Sequence, residues 1–163
     1  MAEKRIETCS QVIADHGLTI AFAESATAGW LCSEFALTSC SGQVLKGGIV
    51  CYDASLKQTL LGVSEEMIKE FSPESREVTD EIARRTADLI DADIYVGVTG
   101  LTTAGGSESE EKPVGTMFVS ALIKGELISE RYVFKGSCEE VIHQTINAAA
   151  DLLILHLQRK VEQ

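Results

Sequence analysis

The chain has 163 residues, 45% of them hydrophobic, and carries 25 acidic against 14 basic residues for a net charge of −11. That length suits one globular domain, residues 1–163, and an acidic balance with no basic run excludes a nucleic-acid-binding face. No apolar run reaches the roughly 20 residues of a membrane span, and the first ten residues, MAEKRIETCS, hold no signal-peptide core; no membrane partner and a cytoplasmic location are expected.

Five cysteines (Cys9, Cys32, Cys40, Cys51 and Cys138) form no CxxC pair and read as reduced, mostly packed thiols. His16, His143 and His156 show neither metal-ligand spacing nor a triad pattern, so no metal site is expected.

In chain order, residues 4–15 place Ile6, Cys9, Val12 and Ile13 on one helical face, stopped by His16-Gly17. LTIAFAES (18–25) is an apolar strand, and ATAGWLCSEFAL (26–37) the helix after it. GQVLKGGIVCY (42–52) reads as a strand whose Gly47-Gly48 pair admits a neighbouring backbone or a ligand. Two short helices follow, SLKQTLLG and SEEMIKEF. A longer one, DEIARRTADLIDA (80–92), is expected to be capped by Thr79, with Ile82, Thr86, Leu89 and Ile90 inward. IYVGVTG (94–100) is a strand buried on both faces. After the polar loop LTTAGGSESEEKP come a hairpin turning at Lys124-Gly125 and a last helix to about Arg159, opened by a Ser137/Glu140 capping box. Its inward residues are Val141, Ile142, Thr145, Ile146, Ala149 and Leu153. Early strand–helix alternation with a late antiparallel pair predicts a three-layer α/β/α sandwich around a mixed β-sheet.

Three stretches carry candidate chemistry. AESATAG (23–29) lies at a strand-to-helix turn that favours an anion, with the Ser25 and Thr27 hydroxyls as added donors or, alternatively, as plain helix caps. VTGLTTAGG (98–106) leaves the central strand at its C-terminal end, where open α/β sheets bind ligands. There Thr99, Thr102 and Thr103 offer hydroxyls and Gly100, Gly105 and Gly106 offer backbone amides, the alternative being a surface loop. TSCSGQVLKGGIVCYDASLK (38–57) holds the parts of a serine nucleophile with a lysine base, and Tyr52 and Lys57 read equally as a packed aromatic and an exposed helix residue. Lys112, beside the acidic run ESEE, reads as a solvated charge or a local ion pair.

AESATAG, KGGIVCYDASLKQTLLGV, TGLTTAGG and EKPVGTMF, in this order, resemble the CinA C-terminal domain family, also known as nicotinamide mononucleotide deamidases, from about residue 5 to 155. The resemblance implies an α/β/α fold, homo-oligomers and cofactor-independent hydrolysis of the amide of nicotinamide mononucleotide or a related pyridine compound. It also implies the stand-alone form of the family.

The family's tyrosine and lysine carry over onto Tyr52 and Lys57, and the position of its serine nucleophile falls on Gly42, one residue past Ser41. Ser41 is therefore the provisional nucleophile, Lys57 the base and Tyr52 its orienting partner. Ser25, Thr27, Gly47, Gly48, Thr99, Gly100, Thr102, Gly105 and Gly106 are expected to hold substrate, with Ser25 as an alternative nucleophile. The family's basic segment at the last helix is replaced by GSCEEVIH (136–143), which lacks arginines for a phosphate. The rival expectation is a catalytically silent member that binds a nucleotide-like ligand or a protein.

Overall fold

The computed structural model describes residues 4–159. Five strands form one mixed sheet in the order β2-β1-β3-β4-β5. They are β1 (Ile20–Glu24), β2 (Leu45–Val50), β3 (Ile94–Gly100), β4 (Thr116–Ile123) and β5 (Glu126–Val133). β1 runs parallel to both β2 and β3, and β3, β4 and β5 continue antiparallel. Helix α1 (Lys4–Asp15), α2 (Trp30–Ala36), the single turn α3 (Ser41–Val44) and α7 (Cys138–Arg159) cover one face. The other face carries α4 (Ala54–Thr59), α5 (Glu65–Phe71) and α6 (Arg76–Thr86). The three-layer α/β/α sandwich is thus the observed architecture. Among the described residues no helix is long and apolar enough to cross a membrane.

The larger core lies under α1 and α7. Ile6, Cys9 and Ile13 from α1 and Val141, Ile142, Ile146, Ala149 and Leu153 from α7 close over Phe22, Val96 and Val119 of the sheet. Period-3.6 spacing made these faces readable in advance. The capping box forms as expected: Ser137 N–H donates to Glu140 Oε2 at 2.7 Å, and Glu140 N–H to Ser137 Oγ at 3.2 Å. Lys124 and Gly125, both at positive φ (48° and 86°), make the tight turn of the β4–β5 hairpin.

Three local expectations are corrected. Residues 41–44 are helical rather than the start of a strand, and β2 begins at Leu45. Helix α2 starts at Trp30, four residues late, because Ala28 (φ 52°) and Gly29 (φ 91°) pass through left-handed geometry that no helix continues. Ser75, not Thr79, caps α6: its Oγ accepts Val78 N–H at 3.2 Å. Thr79 lies one turn inside, where its hydroxyl returns to Ser75 O and meets Thr99 Oγ1 at 2.8 Å. That helix ends at Thr86, which leaves Leu89 exposed.

The Gly47-Gly48 pair also has a packing explanation. The β1–β2 register shifts at this point, from Ile20 opposite Leu45 to Ala21 opposite Gly47. A Cβ on Gly48 would stand 3.3 Å from both Cys32 Sγ and Phe22 Cβ, so the bare backbone lets α2 settle on the sheet edge.

Candidate active site

Strands β1 and β2 end together, and the ladder continues past both. Ser25 N–H donates to Val98 O at 2.9 Å, and Cys51 N–H to Glu24 O at 2.8 Å. Ser25 and Cys51 are therefore held as rigidly as strand residues, at the carboxyl edge of the sheet, where neighbouring connections diverge to opposite faces and leave a crevice.

Lys57 reaches this edge from α4, whose N-terminus is fixed by Asp53 accepting Ser55 N–H at 2.8 Å. Its side chain is 1% exposed, and Nζ donates to Ser25 Oγ and to Cys51 O, each at 3.0 Å. Neither acceptor is a carboxylate. Burial pushes the Lys57 pKa below the ordinary 10.5, opposed by the Cys51 thiol and by the Glu74 and Asp53 carboxylates.

A buried amine with a depressed pKa, on a serine hydroxyl held by backbone, meets the geometric requirement for a serine–lysine nucleophile pair. Ser25 itself is only 7% exposed, yet it lines a cavity of about 260 Å³ with Ala26, Tyr52, Glu74, Thr102 and the Gly105-Gly106 loop. Among the described residues the Ala26 N–H, next to Ser25 and on the same cavity wall, has no hydrogen-bond partner.

The sequence candidates separate clearly. Ser25, Lys57, Gly100, Thr102, Gly105 and Gly106 come together, five of them on the cavity wall and Lys57 behind Ser25. Ser41 does not join them. It opens α3, before β2, whereas Lys57 is bonded to the residue just after β2. Six strand residues put roughly 16 Å of sheet between them. Gly42 lies on the same far turn, so within one chain a serine there would be as distant from Lys57 as Ser41 is.

Tyr52 lines the cavity, but its side chain is 61% exposed and does not orient Lys57. Its carbonyl is the group near the pair, 3.5 Å from Ser25 Oγ. Thr27 is buried and donates to Glu24 Oε2 at 2.5 Å, and Thr99 is buried beneath the site against Thr79. Neither faces the cavity, nor do Gly47 and Gly48.

Three residues were missed. Glu24, 1% exposed, occupies the α2 N-terminus that the sequence suggested for an external anion. Its Oε2 accepts Leu31 N–H at 3.0 Å and Gly29 N–H at 3.2 Å, and its Oε1 accepts Cys32 N–H at 2.7 Å. The helix is capped by this carboxylate and not by Ser25 or Thr27. Glu74 joins the cavity from the α5–α6 connection, far away in sequence and without any motif. Ala26 offers only its backbone, which no side-chain pattern reveals.

Lys112 is partly buried, not solvated. Its ammonium donates to Ser72 Oγ at 2.7 Å, Ser107 Oγ at 2.8 Å and Glu74 O at 2.9 Å, using all three of its protons. This ties the Gly-rich loop to the α5–α6 connection. Lys112→Met is therefore expected to speed amide hydrogen exchange in the loop around Ser107 about tenfold while Ser25 and Cys51, held in the sheet ladder, stay protected.

A parallel-sheet edge with a buried serine–lysine pair and a small cavity defines a class of α/β protein built for a compact ligand. The profile of the CinA C-terminal domain matches residues 2–157, and the chain belongs to that family. It is 36% identical over 134 residues to a CinA-like protein of Thermotoga sp. (strain RQ2), covering 82% of this chain and 32% of that protein. It is 35% identical over 147 residues to a competence-damage inducible protein of Bacillus cereus (strain G9842), covering 90% of this chain and 34% of that one. The chain thus spans about a third of the length of these curated relatives. Among solved structures, the competence/damage inducible protein CihA of Agrobacterium tumefaciens superposes with a TM-score of 0.87 at 27% identity, covering 97% of this chain and 98% of that one.

Proposed function

We propose that the protein is an amidohydrolase that uses Ser25 as nucleophile and Lys57 as base on a small pyridine carboxamide of the nicotinamide mononucleotide type. The observation that carries this reading is the 3.0 Å contact between Lys57 Nζ and Ser25 Oγ at the wall of the cavity.

In the first half-reaction, neutral Lys57 takes the Ser25 hydroxyl proton as Oγ attacks the amide carbonyl. The Ala26 N–H donates to the developing oxyanion. The C–N bond then breaks, Lys57 returns its proton to the leaving nitrogen, and ammonia departs from a Ser25 ester. In the second, Lys57 deprotonates a water that attacks the ester carbonyl; as the C–Oγ bond breaks Lys57 returns that proton to Ser25 Oγ, and the carboxylic acid is released. The 100–106 loop and Tyr52 hold the ring.

Ammonia release from nicotinamide mononucleotide and related carboxamides by the purified protein tests the reading. No turnover of any of them overturns it. Because only neutral Lys57 can accept the proton, kcat/KM is expected to rise with pH, with its inflection below the ordinary lysine value of 10.5. A flat profile between pH 6 and 10 would exclude Lys57 as the base.

A further inference from the structure

Buried threonine hydroxyls in this chain are engaged by the protein itself, with one exception. Thr27, Thr38, Thr86, Thr116 and Thr145 each donate to an oxygen of the chain at 2.5–2.8 Å, and Thr79 and Thr99 share a bond at 2.8 Å. Thr102 is buried as well, only 9% exposed, yet its hydroxyl has no hydrogen-bond partner among the described residues. A hydroxyl at this depth loses water and gains nothing from the fold, so its partner comes from outside the chain.

Thr102 stands on the cavity wall beside the nucleophile. β1 and β3 are parallel neighbours, with Glu24 opposite Val98, and Ser25 N–H carries the ladder one step further onto Val98 O. The two chains leave the sheet side by side, one bearing Ser25 and Ala26, the other Gly100, Leu101 and Thr102, all on the same wall. Thr102 is also firmly placed. Leu101 N–H donates to Thr116 O at 2.9 Å, and Leu101 O accepts Gly115 N–H at 2.7 Å.

The reaction needs a donor there. Attack by Ser25 Oγ turns the amide carbonyl into an oxyanion, of which the Ala26 N–H serves one lone pair. Gly105 N–H is already given to Glu108 Oε1 at 2.7 Å, and Leu101 N–H to Thr116. A carboxylate such as Glu74 can only accept. Tyr52 and Thr103 are exposed, so water competes for their hydroxyls. The buried side-chain donor that remains on the wall is Thr102, fixed before the charge develops.

We infer that Thr102 is a further catalytic residue, whose hydroxyl donates with the Ala26 N–H to the oxyanion formed when Ser25 attacks. Thr102 keeps its own proton throughout, and proton transfer stays with Lys57. This inference rests on the amidohydrolase reading for the acyl group attacked, and on Ser25 as nucleophile.

The test uses the full chain with Thr102→Val, which keeps the branched shape, and Thr102→Ser, which keeps the hydroxyl. For a carboxamide that the wild type hydrolyses, Thr102→Val is expected to lower kcat about 10–100-fold with KM within about twofold, since the bond is made only in the transition state. Thr102→Ser should restore kcat to within about threefold. An unchanged kcat, or a defect confined to KM, overturns the inference and leaves the amidohydrolase reading intact. Thr102→Val should also unfold at a urea concentration no lower than wild type, because the hydroxyl bonds nothing in the fold. A lower midpoint would give the hydroxyl a structural role and overturn the inference.

If no carboxamide is hydrolysed, the amidohydrolase reading fails, and calorimetric binding of pyridine-3-boronic acid decides the inference alone. Ser25 Oγ adds to its trigonal boron as the hydroxyl proton passes to Lys57, giving a tetrahedral anion in place of the oxyanion. Binding weakened about tenfold in Thr102→Val and retained in Thr102→Ser supports the inference. Binding unchanged by Thr102→Val, or no binding to the wild type, overturns it.

Discussion

Ser25→Ala is expected to lower kcat/KM for amide hydrolysis by about 10³-fold or more, while Ser41→Ala leaves it within about twofold of wild type. The contrast follows from position. Ser25 Oγ is 3.0 Å from Lys57 Nζ, and Ser41 lies beyond the opposite end of β2. Loss of activity in Ser41→Ala but not in Ser25→Ala would reverse the assignment.

Lys57→Met should abolish turnover to a similar extent, and the two defects should not add, because the residues act as one unit. Its stability effect has the opposite sign. The folded pKa of Lys57 lies below its unfolded value, so between the two values the unfolded chain binds more protons. Burial of the ammonium therefore costs stability at neutral pH, and that cost disappears as pH rises through the folded pKa toward the unfolded one. Lys57→Met is expected to unfold a few degrees above wild type at pH 7, with the difference shrinking in alkaline buffer. Thermal melts across pH check both parts.

The second large effect is structural. Glu24→Ala is expected to cost about 2–4 kcal/mol of stability, because three backbone N–H groups and the Thr27 hydroxyl lose their acceptor in a buried turn. Glu24→Gln should be intermediate in a urea titration, since one amide oxygen survives while the amide NH₂ faces donors. A Glu24→Ala protein as stable as wild type would show that the carboxylate is not what holds the α2 N-terminus. The effect on catalysis should follow, since this turn immediately succeeds Ser25.

Much of the scaffold was legible because it depends on local periodicity. The α1 and α7 faces, the β3 apolar run, the Lys124-Gly125 turn and the Ser137/Glu140 box are all properties of neighbouring residues. Errors clustered where backbone dihedrals or distant contacts override the local signal. Ala28 and Gly29 delay α2, residues 41–44 coil before β2, and Ser75 replaces Thr79 as a cap because its side chain reaches Val78.

The site divided in the same way. Motif order brought Lys57, Ser25 and the 99–106 loop to attention, yet the family resemblance placed the nucleophile at Gly42 and so made its neighbour Ser41 the expected partner of Lys57. Ser41 is 16 positions from Lys57 and Ser25 is 32, and the nearer residue in sequence is the farther one in space. A parallel sheet causes this: β1 and β2 point the same way, so residues just after both strands meet, while the residue before β2 is carried to the other edge.

By itself, the sequence determined the α/β/α class, the family and the list of hydroxyls and amines from which a site could be drawn, since these follow from composition, periodicity and motif order. Only the tertiary structure decided that Lys57 is buried on Ser25, that Glu24 already fills the helix terminus offered to an anion, and that Glu74 faces the cavity. The physical reason is that pKa, charge pairing and cavity chemistry are set by desolvation and contact. Those are created when the ends of β1 and β2, far apart in the chain, are packed side by side.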